Sequence, residues 1–339
     1  MPLSDYDYEV PEELIAAAPA EPRDSSRLLV IRRGGGALEH AVFRELPRFL
    51  SPGDCLVLNR TKVMPCRLLG RKSTGGKADV LLVRELGPAE WTALSSGLKA
   101  GQTLEFPGGM TAKVGAPNEH GEYRLSFSGT DVRSYLAENG YPPLPPYIAK
   151  KRPASRGDAE RYQTVYARDE GSIAAPTAGL HFTPELLAAL RAGGVETAWI
   201  TLHVGRGTFR PIVGEDADAH AMLPERYEVE ASEAERLRAA RARGGRLVAV
   251  GTTATRVLET LGSSPEGLRA GSGESGLYIR PGHEFRSVGA LITNFHLPRS
   301  TPLMLACAFA GRERLLSAYR EAVARRYRLY SFGDATLIL

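Results

Sequence analysis

Apolar residues recur along the chain in two rhythms. From about Met64 to Ser128 no helical period is present; the stretches CRLLG, ADVLLV, WTALS, TLEF, TAKV and YRLSF are separated by Gly, Pro, Asn and Ser. Short strands at that spacing predict a small all-β unit, a barrel or sandwich. Before it, Pro11–Ala17 predicts a short helix, and Arg27–Arg32, Leu38–Phe43 and Asp54–Asn59 predict strands. After it, Thr130–Asn139 predicts a helix and YPPLPPY (Tyr141–Tyr147) a stiff extended connector.

The rest alternates strand and helix. Thr183 and Pro184 open the helix ELLAALRA as N-cap and first helical residue, and VETAWITLHV reads as a buried strand. Ser232 with Glu235 forms a capping-box pattern before ERLRAARAR; the strand RLVAVG and a helix through ATRVLETL follow. LYI and GALITNF read as further strands, and Thr301-Pro302 opens the helix LMLACAFA. Alternation of this kind implies an α/β fold, a layered sheet with helices on both faces. The expected organisation is a discontinuous α/β domain over 1–62 and 150–339, carrying an inserted β-barrel-like unit with its connector over 63–149.

A length of 339 residues suits two domains at roughly 150 residues each. No apolar run reaches the ~18 residues of a membrane span, and the acidic opening MPLSDYDYEVPEEL is unlike a signal peptide, so a cytoplasmic location is expected. Cys55, Cys66 and Cys307 form no C-x-x-C pair, which argues for buried structural thiols. The formal net charge is only +4, but it is uneven. Basic clusters lie at Arg60–Lys72, Lys150–Arg156 and Arg312–Arg328, while the first 24 residues are acidic. Such polarity suits an anionic partner, although arginine-rich helices are also ordinary solvated faces.

In layered α/β folds ligands gather where strands end, so the strand-to-loop junctions are the place to seek chemistry. Four stand out: AAPTAGLHF (Ala174–Phe182), TLHVGRGTFRP (Thr201–Pro211), VGTTATR (Val250–Arg256) and TNFHLPRSTP (Thr293–Pro302). Gly251, Thr252 and Thr253 at a helix start suit a phosphate or carboxylate, and equally suit an ordinary cap. Gly205-x-Gly207 lacks the third glycine of a dinucleotide fingerprint. His181, His203 and His296 stand in these junctions, without the spacing of a three-histidine zinc site. Read from pattern alone, this is a two-domain enzyme handling an anionic substrate.

YQTVYARDEGSIAAPTAGLHFTPELL, TLHVGRGTFRPI, VAVGTTATRVLE, LITNFHLPRSTPLMLACAFAG and RYRLYSFGDATLIL, with APAEPRDSSRLLV and GDCLVLNRTKVMPCRL near the start, resemble the S-adenosylmethionine:tRNA ribosyltransferase-isomerases of the queuosine pathway. The resemblance runs almost end to end in the expected order. It implies an α/β domain with an inserted β-barrel. It also implies transfer and isomerisation of the ribosyl part of S-adenosylmethionine onto 7-aminomethyl-7-deazaguanine at the wobble position of tRNAs with GUN anticodons. Epoxyqueuosine forms, and adenine and methionine leave. S-adenosylmethionine is then consumed as a ribosyl donor, with no retained cofactor, no metal and no obligate protein partner expected.

On that resemblance His181 is the first choice for general acid/base, with His203, His296 and Asp334 behind it. Thr177, Gly205, Gly207, Phe209, Thr252, Thr253 and Phe332 are the expected S-adenosylmethionine contacts, with Thr252 and Thr253 on the methionyl carboxylate and Phe209 or Phe332 stacking on adenine. Arg60, Lys62, Arg67, Lys150, Arg152, Arg206, Arg325 and Arg326 are the expected tRNA phosphate contacts. Departures from the family pattern are Arg60 for an asparagine in NNTRV, Arg206 for alanine in HVGAGTF, Leu223 for the second histidine of H-x-M-H-x-E, and Arg280 for an aromatic in IYPG. An S-adenosylmethionine-dependent RNA methyltransferase, which would yield S-adenosylhomocysteine, and a noncatalytic RNA-binding protein are the alternatives.

Overall fold

The computed structural model of the chain describes every residue except Thr130, Arg156, Arg206, Thr208–Pro211 and Val213. It divides into two units, one of Met1–Lys62 with Gln163–Leu339 and one of Val63–Tyr162. The chain opens with β1 (Arg27–Ile31), β2 (Glu39–Val42), β3 (Cys55–Asn59) and β4 (Thr61–Val63). The second unit follows with β5 (Arg67–Lys72), β6 (Lys77–Gly87), β7 (Glu90–Leu94), β8 (Thr103–Glu105), β9 (Thr111–Pro117) and β10 (Tyr123–Ser128), then α1 (Val132–Asn139), α2 (Pro146–Lys151) and α3 (Asp158–Arg161). The first unit resumes with β11 (Asp169–Ser172), α4 (Pro184–Ala192), β12 (Glu196–Leu202), β13 (Glu225–Val229), α5 (Ala231–Ala242), β14 (Leu247–Val250) and α6 (Gly251–Gly262). It ends with β15 (Gly271–Ser275), β16 (Val288–Asn294), α7 (Thr301–Ala310), α8 (Arg312–Ala324) and β17 (Ala335–Ile338).

In the second unit β10, β7, β6, β5, β8 and β9 close into a barrel. Period-two alternation explains the closure: Ala78, Val80 and Leu82 of β6 are buried between exposed Lys77 and Asp79 and partly exposed Leu81 and Val83. The unit runs to Tyr162 and not to residue 149, because Ile148 and Tyr162 are buried and Arg152 pairs with Asp158 at 2.6 Å. The proline-rich connector is short for the same reason: Tyr141 bridges back to Arg67, and Pro146 opens α2. This unit holds fourteen Lys and Arg against ten Asp and Glu, so the formal charge of +4 lies wholly within it.

In the first unit nine strands form one sheet in the order β15-β13-β12-β3-β14-β16-β17-β1-β2. Its centre, β12-β3-β14-β16, is parallel, with Glu196 and Leu247 both opposite Cys55. Strands covered on both faces read as continuous apolar runs, which is why CLVL, LVAV and GALI show no alternation. Leu56, Leu58, Val248, Val250 and Ile292 pack with Leu186, Leu187 and Leu190 of α4 on one face. On the other, α6 lies over β3, β12, β14 and β16 and buries Ala254, Val257, Leu258 and Leu261.

Three local expectations fail for identifiable reasons. Pro11–Ala17 makes only a 3-10 turn at Glu12–Leu14. Ser232 lies inside α5, whose N-cap is Glu230. LYI is not a strand; Gly271–Ser275 takes the edge position beside β13. Thr301 and Pro302 open α7 as expected, with Ser300 as its N-cap accepting from the Leu303 N–H at 3.4 Å. The acidic N-terminus and the arginine-rich end, separated along the chain, meet in space: Asp5 pairs with Arg312, Asp7 with Arg299 and Glu13 with Arg326.

Candidate active site

All four central strands end on the same edge of the sheet, at Asn59, Leu202, Val250 and Asn294, and the four junctions singled out in the sequence gather there. Asn59 is the hub. Its Oδ1 accepts from the Leu202 and Thr61 N–H groups at 3.0 and 3.1 Å, and its Nδ2 donates to Leu202 O at 3.0 Å and Thr253 Oγ1 at 3.3 Å. It thereby ties the strand end carrying His203 to the start of α6. Gly251 begins that helix at φ +90, a left-handed conformation only glycine adopts without strain, and α6 has no side-chain cap. Its first-turn N–H groups therefore face the edge open. The turn Thr177–His181 packs against α6 and β16.

The three histidines differ in what their nitrogens have left to do. His181, 4% exposed and stacked on Phe43, is bonded on both sides. Asn294 Nδ2 donates to Tyr330 O and to His181 Nε2 at 3.1 Å, so His181 Nδ1–H donates to Ser26 Oγ at 2.7 Å. Burial, with Arg328 and Arg23 nearby, pushes its pKa down to about 3, so it is neutral and held. The leading general acid/base expected from the sequence thus occupies a closed network. His203 is half-buried. Thr61 Oγ1 lies 2.9 Å from His203 Nδ1 and 3.4 Å from Asp169 O, and His203 Nε2 has no partner among the described residues. Desolvation, reinforced by Arg226, lowers its pKa and keeps it neutral. Gly171 makes room for the ring, since a Cβ there would lie 2.9 Å from it. His296 Nε2 pairs with Thr293 Oγ1 at 2.8 Å, and burial lowers its pKa.

Other expected site residues separate. Asp334, 1% exposed, accepts from the Arg27 N–H at 2.9 Å, Arg27 Nε at 3.0 Å and the Arg328 N–H at 2.8 Å, so both its oxygens are engaged in anchoring the C-terminal turn. Phe332 is buried and presents no open ring face. Thr177 and Thr252 are half-buried, Thr253 is engaged by Asn59, and Gly207 is buried beside Leu223. The Gly205 N–H donates to Glu225 Oε1 at 2.7 Å, while Glu225 Oε2 pairs with buried Arg256. Phe209 and Arg206 lie outside the described residues. Among the described residues no cluster of three or more His, Cys, Asp or Glu side chains has metal-binding geometry.

A family model described as a queuosine biosynthesis protein matches residues 3–338. The chain belongs to that family. The S-adenosylmethionine:tRNA ribosyltransferase-isomerase of Anaeromyxobacter dehalogenans (strain 2CP-C) is 52% identical over 347 residues, covering 100% of this chain and 99% of its own. That of Symbiobacterium thermophilum is 52% identical over 345 residues and 100% of both. The crystal structure of the S-adenosylmethionine tRNA ribosyltransferase of Thermotoga maritima matches with a TM-score of 0.58 and 40% identity over 99% of this chain and 100% of that one.

Within the queuosine biosynthesis family pattern, two departures become structural. Arg60 is 7% exposed and bonds Asp169 at 2.8 Å and Glu230 at 2.5 Å, so it is a buried ion-pair centre and not a phosphate contact. Arg280 pairs with Asp218 at 2.8 Å. Lys62 pairs with Glu170, Arg67 with Asp79, Arg152 with Asp158, Arg325 with Glu321 and Arg326 with Glu13; Lys150 is exposed. Pattern reading passed over Asn59, Asn294, Ser26, Glu225, Arg256 and Tyr278. For two of them the signal was position: Asn294 and Arg256 each lie within a junction already singled out, while Asn59 ends the strand read at Asp54–Asn59.

Proposed function

We propose that this chain is an S-adenosylmethionine:tRNA ribosyltransferase-isomerase that modifies 7-aminomethyl-7-deazaguanine at the wobble position of tRNAs with GUN anticodons. The carrying observation is the correspondence, over the whole chain, with relatives of that name at 52% identity. The donor sits at the edge formed by Asn59, His203, Gly205, Thr252 and the Thr177 turn. Its sulfonium acidifies the adjacent 5′ carbon, and His203, neutral, with its ring proton on Nδ1 and Nε2 without a partner among the described residues, is the base that removes a proton there and starts the loss of adenine. The neutral aminomethyl group attacks, the ribosyl part rearranges, and methionine departs. His181 positions the turn at Thr177–His181, and His296 is the second proton carrier. No metal enters this sequence of steps.

The tRNA is the partner, and the second unit, which carries the whole formal charge, is the surface that tracks its phosphates through Lys150 and neighbouring cations. The test is one incubation of labelled S-adenosylmethionine with tRNA bearing the deazaguanine base. Free adenine and methionine are expected. Production of S-adenosylhomocysteine, or no adenine under turnover conditions, refutes the reading.

A further inference from the structure

Beside the Asn59 hub, the starts of α6 and α7 share a narrow pocket of about 360 Å³ including the solvent at its mouth. Thr252 and Thr301, from the two helix starts, and Tyr278 line it. None of their three hydroxyls has a partner among the described residues, although Thr301 is only 7% exposed and the Tyr278 oxygen is shut from solvent. A buried hydroxyl left without a partner is uncommon, and that of Tyr278, beside the hydroxyls of nearly buried Thr301 and half-buried Thr252, marks a place where a ligand supplies an acceptor. Arg256 at the wall does not supply the charge. It pairs with Glu225 and donates to Ser275 O at 2.6 Å and Leu277 O at 3.2 Å. The positive potential comes instead from the uncapped start of α6 and the start of α7. Met222, Leu277 and Leu305 make the remaining wall apolar.

Hydroxyl donors and helix starts at one end, with an apolar wall beside them, suit a singly charged carboxylate on an aliphatic chain better than a hydrated phosphodiester. We propose that this pocket takes the α-carboxylate of the methionyl part of S-adenosylmethionine, with Thr301 and Tyr278 as specificity-determining residues beside Thr252. The assignment rests on the donor named under the proposed function. It moves the carboxylate away from Thr253, whose hydroxyl Asn59 already holds, and toward α7.

The test compares S-adenosylmethionine with its decarboxylated analogue in adenine release by the full chain. A hydrogen bond to a charged group corresponds to about ten- to a hundredfold. Thr301→Val and Tyr278→Phe are therefore expected to raise KM for S-adenosylmethionine by about tenfold or more while changing KM for the analogue less than about twofold, and Thr301→Ser restores the discrimination. Equal losses for both donors, or no change for either, overturn the proposal. Equilibrium dialysis separates this from failure of the functional reading, because it needs no turnover. L-methionine binding that is weakened by Thr301→Val and absent for methioninol supports the pocket even if the wild type releases no adenine. Equal binding of methioninol, or displacement of methionine by millimolar inorganic phosphate, refutes a carboxylate site.

Discussion

Replacing Arg60 by methionine removes a guanidinium whose side chain is 8% exposed and which bonds Asp169, Glu230 and Thr201. Removing one partner of a buried ion pair costs ~3–5 kcal/mol when the other charge is left alone. Here Arg168 still reaches Asp169 at 2.8 Å and Glu230 at 2.7 Å, and both carboxylates keep some solvent. The expected loss is correspondingly smaller, about 2 kcal/mol at pH 7. Its pH dependence follows from Asp169. Burial pushes that carboxyl up, but hydrogen bonds from Thr201, Arg168 and Arg60 outweigh burial and hold it at about 2 against an ordinary 3.8. A depressed carboxyl stabilises the fold fully above its unfolded pKa and loses that contribution as pH falls through its folded pKa. The difference between wild type and Arg60→Met therefore narrows from about pH 4 down to about pH 2.

Urea unfolding of the full chain reads this out. Trp199 lies on β12 in the first unit and Trp91 in the barrel, where the Trp91 indole N–H is buried without a partner. A Trp91→Phe background consequently loses no hydrogen bond and leaves Trp199 emission as the reporter of the first unit. A stability change below about 0.5 kcal/mol, the range of ordinary surface substitutions, combined with a flatter salt dependence of tRNA binding, would return Arg60 to the phosphate contacts and refute the buried-pair reading.

Other expectations follow from the same geometry. His203→Gln is expected to slow single-turnover adenine release by about 10²- to 10⁴-fold and to abolish the acid limb of the pH–rate profile, which in the wild type lies below pH 6.5 because the His203 pKa is lowered; His181→Gln keeps that limb. An acid limb that survives His203→Gln removes His203 as the base. Arg256→Met leaves Glu225, whose side chain is 2% exposed, without its cation and is expected to destabilise by about 3–5 kcal/mol in thermal unfolding, whereas the joint replacement Glu225→Gln with Arg256→Met recovers part of that loss. Cys55, Cys66 and Cys307 are buried, with thiol pKa values pushed up to about 12 chiefly by desolvation, so an aromatic disulfide reagent at pH 8 titrates none of them in the folded chain and all three in denaturant.

Much of the fold was legible because its strands obey two different rules. Alternation in the barrel and continuous apolar runs in the doubly covered sheet are local properties, visible in ADVLLV and LVAV without knowing their neighbours. The failures were also local, and each arose where tertiary context outweighs a cap or a turn. Ser232 is an attractive cap, yet α5 starts one residue before it. LYI has strand composition, yet the edge beside β13 is taken by the polar segment GSGES. Charge placement was not legible for a different reason. The acidic start and arginine-rich end are far apart in sequence, and only packing of Leu3, Tyr6 and Tyr8 brings Asp5 and Asp7 onto Arg312 and Arg299.

The site separates in the same way into what sequence neighbours reveal and what distant partners decide. All three histidines lie at strand-end junctions, so the edge of the sheet was readable. Which one is free to move a proton was not. That depends on the second nitrogen of each ring, and the groups that decide it are Ser26 and Asn294 for His181 and Thr61 for His203, none adjacent in sequence to the histidine it controls. A histidine in the most distinctive motif can therefore be the less reactive one, since a motif records constraint of any kind and a closed hydrogen-bond network constrains as strongly as catalysis. His181 is bonded on both ring nitrogens, whereas His203 and His296 each keep one without a partner among the described residues, and His203 is the base proposed above.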